Sequence, residues 1–316
     1  MTETNRALVT GGTGYLGSRL VRRLRADGWA VAVLVPAGSA GSSLAGVKNH
    51  GYDGSLASLQ TVLGTERPDC VFHLATLFLA QHRADDIPAL IAANVTLGAQ
   101  LLEALADINR PPLINVATSW QTMDGSAYRP ANLYAATKQA FVDILRYYVD
   151  ACEQPAVSVH LFDTYGPDDP RGKLVSALIK AMTDGKALEL SPGEQRLDLM
   201  HADDIADALL TVAHRMLNTV SESRRWQHGD CLPDGALPSH PLHDYALRSG
   251  RTLSLRELVA LIERLAGRPL TVRWGARAYR PREIMSPLSP HPSLTDWAPK
   301  IALETGITDL IKSQTP

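Results

Sequence analysis

Residues 10–20, TGGTGYLGSRL, join an apolar strand to an amphipathic helix through a turn that is rich in glycine. Glycine lets a backbone approach a pyrophosphate closely, and the start of the helix offers free N–H groups and the positive end of its dipole. Because the turn directly follows a strand and directly precedes a helix, it predicts a dinucleotide-binding loop rather than a simple tight turn. The predicted cofactor contacts in this turn are Gly11, Gly14, Tyr15, Leu16 and Gly17.

Beyond this turn, short apolar runs alternate with helical patterns. AVAVLV, DCVFHLAT, PLINVATS and AVSVHLFDTYGP read as strands, and the stretches between them carry apolar residues at helical spacing. This alternation predicts an α/β fold with a doubly wound parallel sheet and helices on both faces. The pattern becomes mixed after residue 165, and residues 222–244 lack periodicity, which predicts a long surface loop.

The overall composition limits the possible classes of function. The 316 residues are 45% hydrophobic and 20% charged, and the formal net charge of -2 gives no electrostatic case for binding nucleic acid or a membrane surface. No apolar run approaches the ~20 residues that a membrane helix needs, and the N-terminus lacks a basic-then-apolar leader. The three cysteines lie far apart without a CxxC pair, so we expect a cytoplasmic protein with no zinc site and no disulfide framework.

The second strand ends with VPAGS at residues 35–39 and lacks the acidic residue that usually binds the ribose hydroxyls of NAD. A missing carboxylate removes repulsion against a 2′-phosphate, so the sequence favours NADP(H) over NAD(H), although the usual arginine is also absent. Asp53 lies where a carboxylate could accept a hydrogen bond from adenine, or it could simply close a turn. The further cofactor contacts predicted are Ser39, Gly54, Leu74, Ala75, Thr76 and Asn94.

A tyrosine and a lysine stand four positions apart in NLYAATKQAF, residues 132–141, which reads as a helix. Positions i and i+4 lie on one helix face, so Tyr134 and Lys138 point the same way. A free tyrosine has a pKa of ~10, and a nearby ammonium lowers it by stabilising the phenolate, so that the tyrosine can protonate a carbonyl oxygen. Thr118 or Ser119, at the preceding strand end, could hold the same oxygen. We predict catalytic roles for these residues, with Tyr134 and Lys138 also contacting the cofactor.

The motifs TGGTGYLG, HLAT, ATS, YAATK, YGP, HADDIADAL and WAPKIALETGI together resemble the extended short-chain dehydrogenase/reductases over nearly the whole chain. The resemblance implies a catalytic triad of Thr118 (or Ser119), Tyr134 and Lys138. It implies a Rossmann-type domain with a smaller C-terminal α/β lobe that binds a nucleotide-sugar substrate. It also implies a homodimer through a four-helix bundle, built from helices near residues 87–107 and 132–151.

The domain division expected from this resemblance has three parts. Residues 1–164 form the NADP-binding Rossmann domain, to which residues 197–216 and about 244–250 return. Residues 165–196 and 251–316 form the nucleotide-sugar lobe, and residues 218–243 form a surface loop. Within the superfamily, TSWQ, NLYAATKQAF, LFDTYGPDDPRGKL, LELSPGEQ and YRPRE most resemble nucleotide-sugar 4-ketoreductases of the CDP-abequose or CDP-paratose synthase kind.

The substrate side departs from related epimerases and dehydratases at two positions. Those relatives often have asparagine where Asp163 stands and arginine where Leu197 stands, both on the pyrophosphate side. A carboxylate would repel a diphosphate, so Asp163 is expected to bind a hydroxyl or a backbone group, unless its role is only structural. Lys173, Arg280 and Arg282 remain as cations for the diphosphate. The other predicted substrate contacts are Ser191 and Gln195 for the nucleoside and Gln121 and Trp120 for the sugar, although this tryptophan could equally belong to the core.

The residues leave several functions open. The first is NADPH-dependent reduction of the C4 ketone of a nucleoside-diphosphate 4-keto-6-deoxyhexose, a CDP- or dTDP-sugar, with Tyr134 as general acid. The second is a redox-neutral, NAD-dependent nucleotide-sugar 4-epimerase, which the missing acid after the second strand disfavours. A 4,6-dehydratase is disfavoured because Trp120, which follows Ser119, replaces an acidic pair, and a binding protein without turnover is disfavoured by the complete triad. His82 and His201 are rejected as metal or acid–base residues, and no metal is expected.

Overall fold

A computed structural model of the chain describes residues 4–38, 44, 46–126, 128–226 and 243–314. The strands are β1 Arg6–Thr10, β2 Ala30–Pro36, β3 Lys48–Tyr52, β4 Cys70–His73, β5 Leu113–Thr118, β6 Ala156–Leu161, β7 Asp163–Tyr165, β8 Leu188–Leu190, β9 Arg196–Leu197, β10 Leu199–His201, β11 His243–Leu247, β12 Leu253–Ser254 and β13 Val272–Trp274. The helices are α1 Tyr15–Ala26, α2 Leu56–Glu66, α3 Ile87–Ile91, α4 Leu97–Leu105, α5 Leu133–Cys152, α6 Leu174–Thr183, α7 Ala202–Trp226, α8 Leu255–Ala266 and α9 Leu303–Gln314.

The main sheet has seven strands in the order β11-β6-β5-β4-β1-β2-β3. The ladder from β3 through β2, β1 and β4 to β5 is parallel throughout. The central strand β1 is buried along residues 7–9, and since successive side chains of a strand point to opposite faces, both faces of the sheet are covered. The predicted α/β class with a parallel Rossmann-type sheet is confirmed.

One large core cluster packs helices against this sheet. It joins Leu8 of β1 to Leu63 of α2, Leu101 of α4 and Phe141 of α5. Gly98 of α4 allows the close approach of α5, because a Cβ there would lie 2.3 Å from the ring of Phe141. The helix that carries the predicted catalytic pair is therefore fixed by tight packing.

The predicted long helix near residues 87–107 is interrupted. A π-helical turn over Ala92–Thr96 separates α3 from α4. Such turns widen the helix by one residue and are frequent at functional sites. By length and composition alone, the segment Ala84–Ile108 could cross a membrane, contrary to our expectation, but 44% of its apolar window is buried and core helices pass the same test.

The chain divides into two compact units. The first contains Met1–Ala117, Leu133–His160 and Ala206–Tyr245, and the second contains Thr118–Asn132, Leu161–Ile205 and Ala246–Pro316. Residues 118–132, 161–164, 197–205 and 246–250 therefore depart from the predicted division, which assigned all four segments to the nucleotide-binding domain. The reason is local packing within the second unit, where Arg282 donates to the carbonyl oxygen of Pro130 at 2.7 Å and β10 pairs with β7.

The second unit has its own core and three short strand pairs. β10 pairs with β7, β12 with β9 and β13 with β8. Leu178, Leu258, Ile262 and Ile307 are fully buried between its helices. The N-terminus of α8 has a reciprocal capping box, in which Glu257 N donates to Ser254 Oγ at 3.1 Å and Ser254 N donates to Glu257 Oε2 at 2.6 Å.

The predicted surface loop over residues 218–243 is wrong in its first part. Helix α7 continues to Trp226, so residues 218–226 are helical. Val220 is the last residue of this helix that is seen to be buried, and the polar sequence SESRRW that follows has no apolar stripe to reveal a helix. Residues 227–242 of the predicted loop lie outside the described residues.

Candidate functional site

The glycine turn lies against the end of β4. Gly11 has φ +70°, and a Cβ on it would lie 2.7 Å from the backbone N of Ala75. A Cβ on Gly17 would lie 2.1 Å from the carbonyl oxygen of Gly11, so neither position tolerates a side chain. Gly14 is the N-cap of α1, and its own N–H donates to the Gly11 carbonyl at 3.0 Å. This cradle and the start of α1 fit a pyrophosphate group of a dinucleotide.

The same strand end leads to the predicted catalytic lysine. Thr10 Oγ1 accepts a hydrogen bond from Ala75 N at 3.1 Å and pairs with His73 Nδ1 at 2.9 Å. Burial is the main cause that lowers the pKa of His73 to about 3, and the positive charge of Lys138 is the second cause. This imidazole is therefore neutral at physiological pH. The ring of His73 also lies edge-on to that of Phe141 in α5, with centroids 5.0 Å apart, so this strand end packs against the helix that carries Lys138.

Tyr134 and Lys138 lie together in the first two turns of α5. Tyr134 is 9% exposed and Lys138 is 2% exposed. Burial lowers the pKa of Lys138 to about 8, so most of the lysine is still charged at neutral pH. The pair therefore has the spacing, burial and positive charge that the sequence predicts for a proton donor.

Asn94 connects this helix to the loop after β4. Its Oδ1 accepts from Thr76 Oγ1 at 2.9 Å and from Leu77 N at 2.8 Å. Its Nδ2 donates to the Leu77 carbonyl at 3.0 Å and to Thr137 Oγ1 at 2.9 Å. Thr137 in turn donates to the carbonyl oxygen of Tyr134 at 2.8 Å. The two donors and two acceptor positions of the Asn94 amide are thus filled, and it fixes the catalytic turn of α5.

Phe78 is a neighbour of the catalytic pair that sequence reasoning missed. Its ring lies edge-on to the ring of Tyr134, with centroids 5.0 Å apart at 81°, and it is 41% exposed. A usable signal was present, because Phe78 follows HLAT at the carboxyl end of a strand, where parallel sheets bind ligands. Asn94 and Thr76 were predicted as cofactor contacts, and the structure adds their positioning contacts.

The predicted triad hydroxyls lie at a short 3₁₀ turn over Ser119–Gln121, in the second unit. Thr118 Oγ1 accepts from Trp120 N at 3.3 Å, and Gln121 Oε1 accepts from Thr118 N at 3.0 Å. Gln121 is fully buried, so its structural role as a cap accompanies the predicted sugar contact. Trp120 is half-buried, and both hydroxyl residues, Thr118 and Ser119, are less than 9% exposed.

Asp163 is the centre of a mixed-charge cluster in the second unit. Burial raises the pKa of its carboxyl group. The charges of Lys173 and Arg280 lower this pKa, and those of Asp198 and Glu283 raise it further. Burial likewise lowers the pKa of Lys173. The charges of two other predicted substrate residues, Lys173 and Arg280, thus act on the Asp163 carboxyl group.

Other predicted contacts have identifiable structural partners. Ser191 and Gln195 hydrogen-bond each other at 2.9 Å. Asp53 Oδ1 accepts from Ser55 N at 2.8 Å, which stabilises the turn before α2. Ser39 lies outside the described residues. His201 is buried and accepts from Asp203 N at 3.2 Å, in accord with the packing role expected of it.

Gly54 and His82 complete the placement of the residues that the sequence analysis named. The carbonyl oxygen of Gly54 accepts from Gln100 Nε2 at 3.2 Å, whereas His82 is exposed. The cofactor role of Gly54, like the cofactor role of Asp53 and the nucleoside roles of Ser191 and Gln195, stays a prediction.

Curated relatives include CDP-abequose synthases and a UDP-glucose 4-epimerase. A CDP-abequose synthase of Yersinia pseudotuberculosis is 27% identical over 283 residues, covering 89% of this chain and 91% of the relative. A UDP-glucose 4-epimerase of Mycolicibacterium smegmatis is 28% identical over 225 residues, covering 65% of this chain and 72% of the relative.

Solved structures with the same fold include a UDP-glucose 4-epimerase from Brucella ovis in complex with NAD. Its TM-score is 0.78 at 22% identity, and 96% of each chain is covered. A UDP-N-acetylglucosamine 4-epimerase from Methanobrevibacter ruminantium also has a TM-score of 0.78, at 19% identity and 98% coverage of both chains. At this identity the likeness shows the fold.

The family model described as the NAD dependent epimerase/dehydratase family matches residues 7–223, more than half of the chain. The match begins in β1 and includes the glycine turn, the Asn94 network and the Tyr134–Lys138 pair. The chain therefore belongs to the NAD dependent epimerase/dehydratase family.

Proposed function

We propose that the protein reduces the C4 ketone of a nucleoside-diphosphate 4-keto-6-deoxyhexose with NADPH. The observation that carries this proposal is a series of contacts within the first unit. The glycine turn lies against Ala75, and Thr10 bonds both Ala75 and His73. The ring of His73 packs edge-on against that of Phe141 in α5, the helix that carries Tyr134 and Lys138. A cofactor turn and a buried proton-donor pair thus lie in one framework. The likeness to a CDP-abequose synthase over 89% of the chain supports the reductase among the family's reactions.

In this reaction Tyr134 gives its phenolic proton to the ketone oxygen and later recovers a proton from solvent. A bound dihydronicotinamide supplies the hydride that C4 receives, so the products are an alcohol and the oxidised cofactor. Lys138 remains charged at neutral pH, since its pKa is about 8, and stabilises the phenolate that Tyr134 leaves behind. Thr118 or Ser119 is proposed to hold the same oxygen.

The cofactor proposal rests on the end of β2. In the described residues the segment after Leu34 reads Val35, Pro36, Ala37 and Gly38, without an acid that would repel a 2′-phosphate. This supports NADP(H) over NAD(H). Asp53, Gly54 and Ser39 are proposed to surround the adenosine half.

The substrate proposal rests on the Asp163 cluster. Lys173 and Arg280 are proposed to bind the diphosphate, because guanidinium and ammonium groups suit phosphate oxygens. Asp163 is proposed to accept a hydrogen bond from a sugar hydroxyl. Trp120 and Gln121 are proposed beside the sugar, and Ser191 and Gln195 beside the nucleoside.

The protein is further proposed to act in the cytoplasm as a homodimer. Cys70 and Cys152 are free thiols, which suits a reducing compartment. Ile87 and Ile91 of α3 are 42% and 41% exposed, and Tyr147 of α5 is 61% exposed. Apolar side chains on these two helices support the four-helix bundle, which light scattering during size-exclusion chromatography would test.

The test of the reductase is the loss of NADPH absorbance with CDP- and dTDP-4-keto-6-deoxyglucose supplied in parallel. NADH serves as the control cofactor. We expect NADPH loss with one of the two sugars, which also identifies the nucleotide. Absence of NADPH loss with both sugars contradicts the proposal.

A redox-neutral 4-epimerase is the second candidate, favoured by the likeness to a UDP-glucose 4-epimerase at 28% identity. It predicts NAD that is released only when the purified protein is denatured, and interconversion of UDP-glucose and UDP-galactose without added cofactor. Those two observations together would replace the reductase by the epimerase.

A further inference from the structure

The apolar ring of Phe78 lies beside the side chain of Tyr134, which carries the hydroxyl group proposed to be catalytic. It is 41% exposed, and its ring packs edge-on at 5.0 Å from that of Tyr134, which is itself 9% exposed. A single exposed aromatic side chain is common on protein surfaces. This one differs because it adjoins the group that must touch the reacting oxygen.

The position of Phe78 is fixed by the chain on its N-terminal side. The amide of Asn94 holds both the N–H and the carbonyl of the adjacent Leu77, at 2.8 and 3.0 Å. The same amide donates to Thr137, which bonds the Tyr134 carbonyl. One buried side chain therefore sets the loop that carries Phe78 and the helical turn that carries Tyr134, so the two rings keep their mutual placement.

The chemistry of the substrate decides what such a ring can face. A ketone oxygen that accepts the Tyr134 proton lies about 2.7 Å from the phenolic oxygen. C4 then has two neighbours, C3 with a hydroxyl group and C5 with the exocyclic carbon C6. An aromatic edge offers no hydrogen bond to a C3 hydroxyl or to a 6-hydroxyl, and a polar group placed there without a partner is disfavoured. A 6-methyl group fits it.

We infer that Phe78 is a specificity-determining residue, which packs against C6 of the sugar and selects 6-deoxyhexoses over 6-hydroxylated ones. The inference rests on the proposed function, because it takes a nucleotide-sugar with its C4 at Tyr134. The preference for 6-deoxy sugars is thus assigned to the side chain of Phe78.

The experiment measures binding rather than turnover. Titration calorimetry of the Tyr134→Phe protein with NADPH compares 6-deoxyglucose and glucose attached to the same nucleoside diphosphate, with CDP, dTDP and UDP each tried. The variants added to this background are Phe78→Ser, Phe78→Leu and Tyr147→Ser. Tyr147→Ser is the matched control, since Tyr147 is an exposed aromatic residue of the same helix as Tyr134. Melting temperatures confirm that each variant is folded.

We expect the 6-deoxy sugar to bind about tenfold more tightly than its 6-hydroxylated counterpart, because an apolar surface leaves the added hydroxyl group without a hydrogen-bond partner. Phe78→Ser should reduce this ratio to about threefold or less, whereas Phe78→Leu and Tyr147→Ser should retain most of it. An unchanged ratio in Phe78→Ser, or equal binding of both sugars before substitution, overturns the inference and leaves the proposed function standing. Binding of neither sugar with any base overturns both.

Discussion

The polar centre around Lys138 and the polar centre around Asp163 differ in the causes that shift the pKa values of these two residues. Burial alone lowers the pKa of Lys138, and a neutral His73 lies beside it. The pKa of Asp163 is instead raised mainly by burial. Two cations lower it and two further carboxylates raise it. A buried lysine that is mostly charged at neutral pH suits the catalytic role predicted for the first centre. Mixed charges around a buried carboxyl group suit the recognition of a charged and hydroxylated ligand that is predicted for the second.

Their mechanical support differs as well. The first centre is held by a side chain, Asn94, that fills its hydrogen-bonding capacity with Thr76, Leu77 and Thr137. In the second, Arg280 is exposed, and its backbone bonds Glu283 twice, from Arg280 N to Glu283 Oε2 at 3.3 Å and from Glu283 N to the Arg280 carbonyl oxygen at 3.0 Å. The buried Asn94 network suits the preorganisation that the predicted catalytic role requires.

The strongest test of the first centre is Tyr134→Phe. Removing the phenolic hydroxyl takes away the general acid, which typically contributes 10²–10⁴-fold. We expect kcat to fall about a thousandfold, while NADPH binding measured by fluorescence changes less than about threefold, because the ring and the glycine turn remain. Retained turnover would assign the proton to another group.

Lys138→Met separates catalysis from stability. A buried lysine whose pKa falls from 10.5 to about 8 destabilises the folded state at neutral pH by on the order of 3 kcal/mol. The unfolded chain binds this proton more tightly, so the stability of the native protein rises as pH increases from about 8 towards 10.5. We expect the variant to lose activity yet to melt several degrees higher at pH 7.

The pH dependence supplies the control for Lys138→Met. Its gain in melting temperature should shrink as the pH is raised above about 8, since the native lysine then folds uncharged. Arg22→Met, an exposed cation of α1, should show no such trend. A gain that is the same at pH 7 and pH 10 would mean that Lys138 is not a strained buried cation.

Asn94→Ala tests the support of the first centre. The substitution removes the partner of the Leu77 N–H and carbonyl and the donor to the Thr137 hydroxyl, at a cost of about 1–3 kcal/mol. We expect kcat to fall about tenfold to a hundredfold, because displacing a catalytic group by about 1 Å has effects of that size. Steady-state kinetics and thermal melting measure both effects. Asn5→Ala, an exposed asparagine, should change neither quantity.

Asp163→Asn is the mildest change and tests the second centre. A carboxylate that accepts from a sugar hydroxyl makes a stronger bond than an amide, so KM should rise about threefold to tenfold with kcat nearly unchanged. A fall in KM would instead indicate that Asp163 faces the diphosphate and repels it. Asp150→Asn on the exposed side of α5 serves as the control for loss of one negative charge.

Contacts between residues close in sequence could be predicted, whereas contacts between distant residues could not. Tyr134 with Lys138, and the Ser254–Glu257 cap, depend on contacts within one helical turn, and helical spacing predicts such contacts. The Asn94 network joins residues 17 to 43 positions apart, and no local pattern reveals it. The same holds for the grouping of residues 118–132 with the second unit, which depends on Arg282, 152 positions from Pro130.

Two segments were missed for the opposite reason, because they lack an apolar pattern. β3 has the sequence KNHGY and lies at the edge of the sheet, where polar residues are tolerated and periodicity is weak. The end of α7 continues through residues 221–226, whose sequence SESRRW has no apolar stripe. The sequence shows that Phe78 follows HLAT closely, but only the structure shows that its ring lies against that of Tyr134.

The most direct test of the central claim is transfer of the label from NADPH that carries deuterium on the transferable position of its nicotinamide ring. The purified protein would be incubated with the 4-keto-6-deoxy nucleotide-sugar that supports NADPH loss, and the product analysed by mass spectrometry and NMR. We predict one deuterium per product molecule, bonded to C4, and about a thousandfold slower formation of this labelled product with Tyr134→Phe. Product that forms without deuterium, together with NAD recovered from the denatured protein, would contradict the reductase.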